Sequence, residues 1–193
     1  MTCSVTVSVD GFIAGPNQSL DHPIGELGQL LHRWMFEQPE GNAAELAAIV
    51  SAGAFIMGRN MFSPGRGDWD ETWRGWWGED PPYHAPVFVL THHPREPLAM
   101  QGGTTFNFVS DGIYAALAQA QAAAGSRTVS IAGGGATVNQ YLATGLIDEL
   151  SLHIAPFTLG SGVRLFEGVD VQLEPVETRF TDLVTHVRYR VIR

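Results

Sequence analysis

Residues Ser130-Ile131-Ala132-Gly133-Gly134-Gly135-Ala136-Thr137-Val138 constrain the fold more than any other stretch of this chain. A short apolar run, Val129 to Ala132, meets three consecutive glycines and then takes on helical spacing through Tyr141 and Leu142. This is the pattern of a buried strand entering a helix through a turn without side chains. Glycine permits positive φ and close approach to the main chain. The first turn of the following helix offers N–H groups and the positive end of a dipole, a setting suited to a phosphate. The same pattern also serves as a plain strand–helix corner, so its meaning depends on what the rest of the chain brings to it.

Three further apolar runs end in chemically distinctive residues. Residues 4–9 alternate as a strand and stop at Asp10-Gly11. Ala54-Phe55-Ile56-Met57 is a short buried strand closed by Gly58-Arg59, and Val87-Phe88-Val89-Leu90 is closed by Thr91-His92-His93-Pro94. A strand over 104–109 precedes a helix over 111–124, with Ser110 or Asp111 as its cap. Leu27, Leu30, Leu31, Trp34 and Met35 share one face of a helix over 25–36, and a second helix runs over 42–52 with Asn42 as a cap. After the glycines come a helix over 135–144 ended by Gly145 and a long strand over 147–156. Two antiparallel strands, 171–180 and 183–192, are joined by a tight turn at Thr181-Asp182. Strands alternating with helices and closed by a hairpin predict an α/β fold: a three-layer α/β/α sandwich with a mostly parallel central sheet. No repeat, low-complexity tract or long linker divides residues 1–193, so one domain is expected.

Composition narrows the chemistry. At 193 residues, 45% hydrophobic and 16% charged, the chain has enough apolar material for a full core. No apolar run approaches the roughly 20 residues of a membrane span. No signal peptide is evident, and a single cysteine, Cys3, excludes an internal disulfide and any multi-cysteine metal site; a cytoplasmic protein is expected. The net charge is −9, and all eleven cationic side chains are arginine. Without lysine there is no lysine-dependent phosphate loop and no Schiff-base chemistry. An acidic chain lacking a basic run is a poor nucleic-acid binder. An anionic ligand must therefore be held by arginine, histidine or backbone N–H groups.

In such a sheet ligands bind at the carboxyl ends of the strands, where Asp10, Gly58-Arg59, Thr91-His92 and Gly133–Gly135 should converge. Arg59 offers a planar, bidentate phosphate contact; the alternative is that it caps a neighbouring helix or pairs with a surface carboxylate. Arg59 together with His92 would recognise a terminal phosphate on an adenosine ribose, which favours NADPH over NADH. His153, on the strand over 147–156, is either a pocket acid or hydrogen-bond donor or a satisfied core histidine. Residues 63–86 hold Trp69, Trp73, Trp76 and Trp77 among several carboxylates; they form either a wall that stacks on a flat heterocycle or a self-packed loop or subunit contact. His92 and His93 lack further ligands nearby in sequence, and no metal is expected.

The order of these elements resembles the dihydrofolate reductase superfamily. It is closest to the C-terminal reductase domain of the bifunctional riboflavin-biosynthesis deaminase-reductases and to its stand-alone relatives. The residues that carry the resemblance are Ser8-Val9-Asp10-Gly11-Phe12-Ile13-Ala14, Met57-Gly58-Arg59-Asn60-Met61-Phe62, Val89-Leu90-Thr91, the triple glycine, Gly145-Leu146-Ile147-Asp148-Glu149-Leu150, Ala155-Pro156 and Leu159-Gly160-Ser161-Gly162. The resemblance covers essentially the whole chain. It implies hydride transfer from NADPH to a pyrimidine- or pterin-type heterocycle, and a homodimer. By position, Gly58, Arg59, Thr91 and His92 would hold the adenosine phosphate end, Gly133, Gly134, Gly135, Ala136 and Thr137 the pyrophosphate, and Ala14 would flank the nicotinamide. Asp10 and His153 are the catalytic candidates; Trp34 and Arg164 are the candidates for substrate. Two departures bear on the substrate: the helix over 25–36 has no pocket-facing carboxylate beyond Glu26 at its start, and Met61 replaces a hydroxyl residue after the Gly-Arg pair. A protein that kept the fold and binds a ligand without turnover is the alternative reading.

Overall fold

The apolar runs become strands, and their order in space is not their order in sequence. The protein is described by a computed structural model covering residues 1–63, 65 and 67–192. Its strands are β1 (Thr2–Ser8), β2 (Phe12–Ala14), β3 (Ala54–Gly58), β4 (Pro86–Leu90), β5 (Leu98–Ala99), β6 (Thr105–Val109), β7 (Val129–Gly133), β8 (Glu149–Ala155), β9 (Val163–Arg164), β10 (Gln172–Thr181) and β11 (Val184–Ile192). Its helices are α1 (Arg33–Glu37), α2 (Ala43–Ile49), α3 (Arg59–Phe62), α4 (Gly112–Ala124) and α5 (Gly135–Ala143). A nine-stranded sheet runs β10-β11-β8-β1-β7-β3-β4-β6-β5. From β8 to β6 neighbours are parallel; β5, β11 and β10 add antiparallel edges. This is the dihydrofolate reductase-like α/β fold.

Side-chain alternation along each strand splits the core in two. Ala54 and Ile56 of β3 face α4 and α5, meeting Ala116, Ala120, Val138 and Leu142. Phe55 and Met57 face the other way, with Val87, Val89 and Phe106, onto Phe62, Tyr83, Trp69, Trp73 and Trp77. The second outer layer is thus built largely from an aromatic excursion and short helices.

The single helix over 25–36 does not form. Gly25 (φ +75°) and Leu27 (φ +58°) lie in the left-handed region, which a right-handed helix cannot include. A 3-10 turn, Gly28–His32, follows and leads into α1. Asn42 precedes α2, but its side chain makes no capping bond there. The hairpin is shifted by one: Thr181 pairs with Val184, so the turn is Asp182-Leu183. Strands β2, β5 and β9 escape the sequence pattern because two or three residues are too few to show alternation.

Candidate active site

The carboxyl ends of β3, β4 and β7 and the start of α5 border one cleft of about 1130 Å³. That exceeds the volume typical of a site for one small ligand, roughly 300–1,000 Å³. Gly133 has φ +134°, which favours glycine, and the Gly133–Gly134 peptide is cis. Close packing explains two more glycines. A Cβ on Gly58 would collide with Oγ1 of Thr137, and one on Gly135 would stand 2.6 Å from Cγ1 of Val163. Gly134 differs: a Cβ there would meet nothing within 4 Å, so the backbone at the head of α5 is open to an incoming group. Ala14, Gly58, Arg59, Thr91, His92, Gly133, Gly134, Gly135, Ala136 and Thr137 all line the cleft. The residues assigned to a dinucleotide from sequence are therefore in one place, and the open glycine cradle at a helix N-terminus fits a pyrophosphate.

Arg59 opens α3 with its guanidinium carbon 3.9 Å from the centre of the Trp69 ring, and Nη2 donates to the Asp68 carbonyl at 3.3 Å. The Thr91 hydroxyl accepts from the His93 N–H at 3.0 Å and donates to the His93 carbonyl, so it fixes the turn that carries His92. Trp69 Nε1 donates to the same carbonyl at 2.6 Å. Trp73 Nε1 donates to the Phe62 carbonyl at 2.8 Å, while Trp76 and Trp77 reach the cleft wall. The aromatic excursion is both self-packed and a wall of the site. Among the described residues no three His, Cys, Asp or Glu side chains are grouped to hold a metal ion, and no helix is long and apolar enough to cross a membrane.

Of the four remaining candidates, Asp10, Arg164 and Trp34 lie outside the cleft, and His153 takes the second of its two expected forms, a hydrogen-bonded core histidine. Asp10 does not line the cleft; its carboxylate accepts from Ser8 Oγ (2.6 Å), Leu159 N–H (3.0 Å) and Gly160 N–H (2.7 Å). Led by the Ser8 bond, these donors hold its pKa down at about 2. It clamps the loop after β8 onto β1. Arg164 turns away too: Nη1 donates to the Asp10 carbonyl at 2.9 Å and the guanidinium covers Phe12. Trp34 is completely buried and does not reach the cleft; its indole packs at a tilt against His153 and edge-on against His186. His153 lines the cleft, but both of its ring nitrogens are hydrogen-bonded, to Ser4 Oγ and to His186 Nδ1.

Known proteins share this fold. The model of the RibD C-terminal domain matches residues 1–187. The chain belongs to the RibD C-terminal domain family. Among solved structures it is similar to a putative riboflavin biosynthesis protein from Shewanella sp. PV-4, with 23% identity, TM-score 0.69, and coverage of 100% of this chain and 98% of that one. It is similar to a diaminohydroxyphosphoribosylaminopyrimidine deaminase/5-amino-6-(5-phosphoribosylamino)uracil reductase from Thermotoga maritima, at 15% identity and TM-score 0.59. That match covers 99% of this chain and 56% of the Thermotoga chain. It is also similar to dihydrofolate reductase from Enterococcus faecalis in complex with NADP(H), at 15% identity, TM-score 0.57, and coverage of 98% and 95%. No curated protein sequence matches the chain.

In this RibD C-terminal domain a buried polar chain lies behind the cleft, and sequence reasoning missed most of it. Asn42 is fully buried, and its Nδ2 donates to the carbonyls of Gln38 (2.7 Å) and Trp34 (3.3 Å). That orientation leaves Oδ1 to accept, so His186 Nε2, 2.9 Å away, must carry a proton. In neutral His186 the Nδ1 is then an acceptor, and His153 Nδ1, 2.7 Å away, donates to it. His153 Nε2 is left as an acceptor, and Ser4 Oγ, at 2.8 Å, donates its proton there. Burial pushes His153 down to about 3 and His186 downward as well, consistent with two neutral rings. Strand register assembles the chain: Thr6 and His186 both pair with His153 across β1–β8 and β8–β11. A second missed residue, His32, lines the cleft with Nδ1 shielded from solvent and without a hydrogen-bond partner.

Proposed function

We propose that the protein is an NADPH-dependent reductase that delivers a hydride to a pyrimidine- or pterin-type heterocycle. One observation carries this reading: residues from four separate segments, Ala14, Gly58-Arg59, Thr91-His92 and Gly133–Thr137, line one cleft at the head of α5. Family membership and the likeness to the Thermotoga reductase and the NADP(H)-bound Enterococcus enzyme support it. Bound NADPH would supply the hydride. Gly133, Gly134 and Gly135 would hold the pyrophosphate against the backbone, Arg59 and His92 the ribose phosphate, and Ala14 one side of the nicotinamide. The chain's contribution is orientation and the exclusion of water by the aromatic wall.

The test is a fluorescence titration with NADPH and with NADH. Arg59→Ala should weaken NADPH by about tenfold or more, the scale of one lost charge-assisted contact, and leave NADH nearly unchanged. Equal losses for both cofactors would remove the phosphate role of Arg59, and no binding at high micromolar NADPH would remove the reductase reading. One observation favours a binding protein without turnover: Asp10 and His153, the two groups expected to act on substrate, are both engaged in internal hydrogen bonds. Cofactor binding without oxidation of NADPH across a panel of heterocycles would establish that alternative.

A further inference from the structure

Beyond the residues assigned to the dinucleotide, the cleft extends between β1 and the short helices α1 and α2. Ser4, Thr6, His32 and His153 supply polar groups there, and Met35, Leu46 and Ile49 supply apolar wall. Among the described arginines only Arg59 lines the cleft, and it stands over Trp69. Arg164 is committed to the Asp10 carbonyl and Arg179 to Glu45. His32 and His153 add no charge near neutrality, because burial lowers them to about 4 and about 3. Among the described residues, this part of the cleft therefore offers a phosphate no cation, and burying an uncompensated dianion is strongly unfavourable.

The hydroxyls have fixed polarity. The Ser4 proton is spent on His153 Nε2, a consequence of the tautomers set by Asn42. Ser4 can offer a ligand only the lone pairs of Oγ. Thr6, two residues along the same face of β1, is the converse: its oxygen accepts from Trp34 Nε1 at 3.3 Å, which leaves its O–H to donate. His32 Nδ1 adds a polar atom with no internal partner.

Resting on the reductase reading, we infer that the acceptor is an uncharged, phosphate-free lactam heterocycle whose ring N–H is read by the lone pairs of Ser4 and whose carbonyl is read by the Thr6 hydroxyl. Ser4 is then a specificity-determining residue, and His153, His186 and Asn42 are positioning residues that fix the direction of its hydrogen bond. The geometry selects against the phosphoribosyl group named for the Thermotoga enzyme and for the bare ring system.

Two matched pairs of probes test this by calorimetry on the full chain with saturating NADPH. The first pair is 5-amino-6-(5-phosphoribosylamino)uracil before and after phosphatase treatment. The second is lumazine, which carries ring N–H groups, and 1,3-dimethyllumazine, which does not. The dephosphorylated compound should bind at least about tenfold more tightly than its parent, and lumazine about tenfold more tightly than its dimethyl form, the scale of one hydrogen bond left unmade. Ser4→Ala should abolish the lumazine discrimination, and Ser4→Thr, which keeps the hydroxyl, should restore it. Tighter binding of the phosphorylated compound, equal affinity for the two lumazines, binding of neither, or discrimination that survives Ser4→Ala would each overturn the inference. NADPH quenching measured on the same samples separates the two levels: intact NADPH binding with failed probes sinks only this inference, whereas absent NADPH binding sinks the reductase reading itself.

Discussion

Asn42→Leu is the sharpest test of the buried chain behind the cleft. Leucine keeps the approximate volume but removes Oδ1 and Nδ2. It strands the His186 Nε2–H and the Trp34 carbonyl, both on buried residues, whereas the half-exposed Gln38 carbonyl can turn to water. A buried polar group left unsatisfied costs about 1–3 kcal/mol. Two of them, less about 1 kcal/mol for the apolar side chain gained, give a net loss of about 3 kcal/mol. For a chain of this size each kcal/mol moves Tm by about 2–4 °C, so Tm should fall by about 6–12 °C, with a matching drop in the urea midpoint at unchanged m-value. A second readout targets the tautomers. Nitrogen NMR of the wild-type protein should show His186 protonated at Nε2 and His153 protonated at Nδ1. In Asn42→Leu nothing fixes His186, and a mixture of tautomers should appear. A loss below about 1 kcal/mol, within the range of an ordinary surface change, or the reverse tautomers in the wild type, would refute the assignment of the whole chain from Ser4 to Asn42.

Three further outcomes follow from particular contacts. Asp10 has a folded pKa of about 2 against an ordinary 3.8, so its carboxylate adds stability that is fully present above the unfolded value and lost as pH falls through the folded one. The stability difference between wild type and Asp10→Asn should be constant above about pH 5 and shrink between about pH 4 and 2; a difference independent of pH down to 2 would contradict the clamp. Trp34→Ala should cost about 3–5 kcal/mol as a cavity in a closed core, measured by denaturant unfolding, whereas a substrate-stacking role would raise KM at unchanged stability. Because His32 and His153 titrate near 4 and 3, kcat at saturating NADPH and substrate should vary less than about twofold between pH 6 and 8; a sharp inflection near 6.5 would place a titrating histidine in the reaction.

The parts of the site that depend on backbone geometry were legible in the sequence. Gly133 needs its positive φ and Gly135 its close approach to Val163, and Gly58-Arg59 and Thr91-His92 follow apolar runs short enough to be buried strands. Each leaves a local signature, and sheet topology does the rest. Ser4, Asn42, His153 and His186 leave none. Each is a lone polar residue on an otherwise ordinary element, and they are widely separated in sequence. Only the register of β1 on β8 and of β8 on β11 brings Ser4, His153 and His186 together, and Asn42 joins them from the turn before α2. Trp34 was misplaced for a related reason: an apolar helical face shows that a side chain is buried, not which cavity or core it enters.

The same contacts bear on how a proton could accompany the hydride. Adding hydride to an unsaturated bond leaves an anion that must be protonated. Asp10 is ionised, committed to the loop after β8 and outside the cleft, and the only ring N–H of neutral His153 points at His186. The polar groups that β1 does turn toward the cleft, the Ser4 lone pairs and the Thr6 O–H, do not ionise near neutrality. They bind and orient; they do not titrate. On the reductase reading proposed above, a chain that fixes the tautomers of two buried histidines and spends its strand-mouth carboxylate on a loop would hold a neutral acceptor still beside a dinucleotide. Whatever rate it achieves must then come mainly from alignment, for which well-oriented reactants offer about 7–11 kcal/mol, with the proton arriving from water or from the acceptor's own N–H.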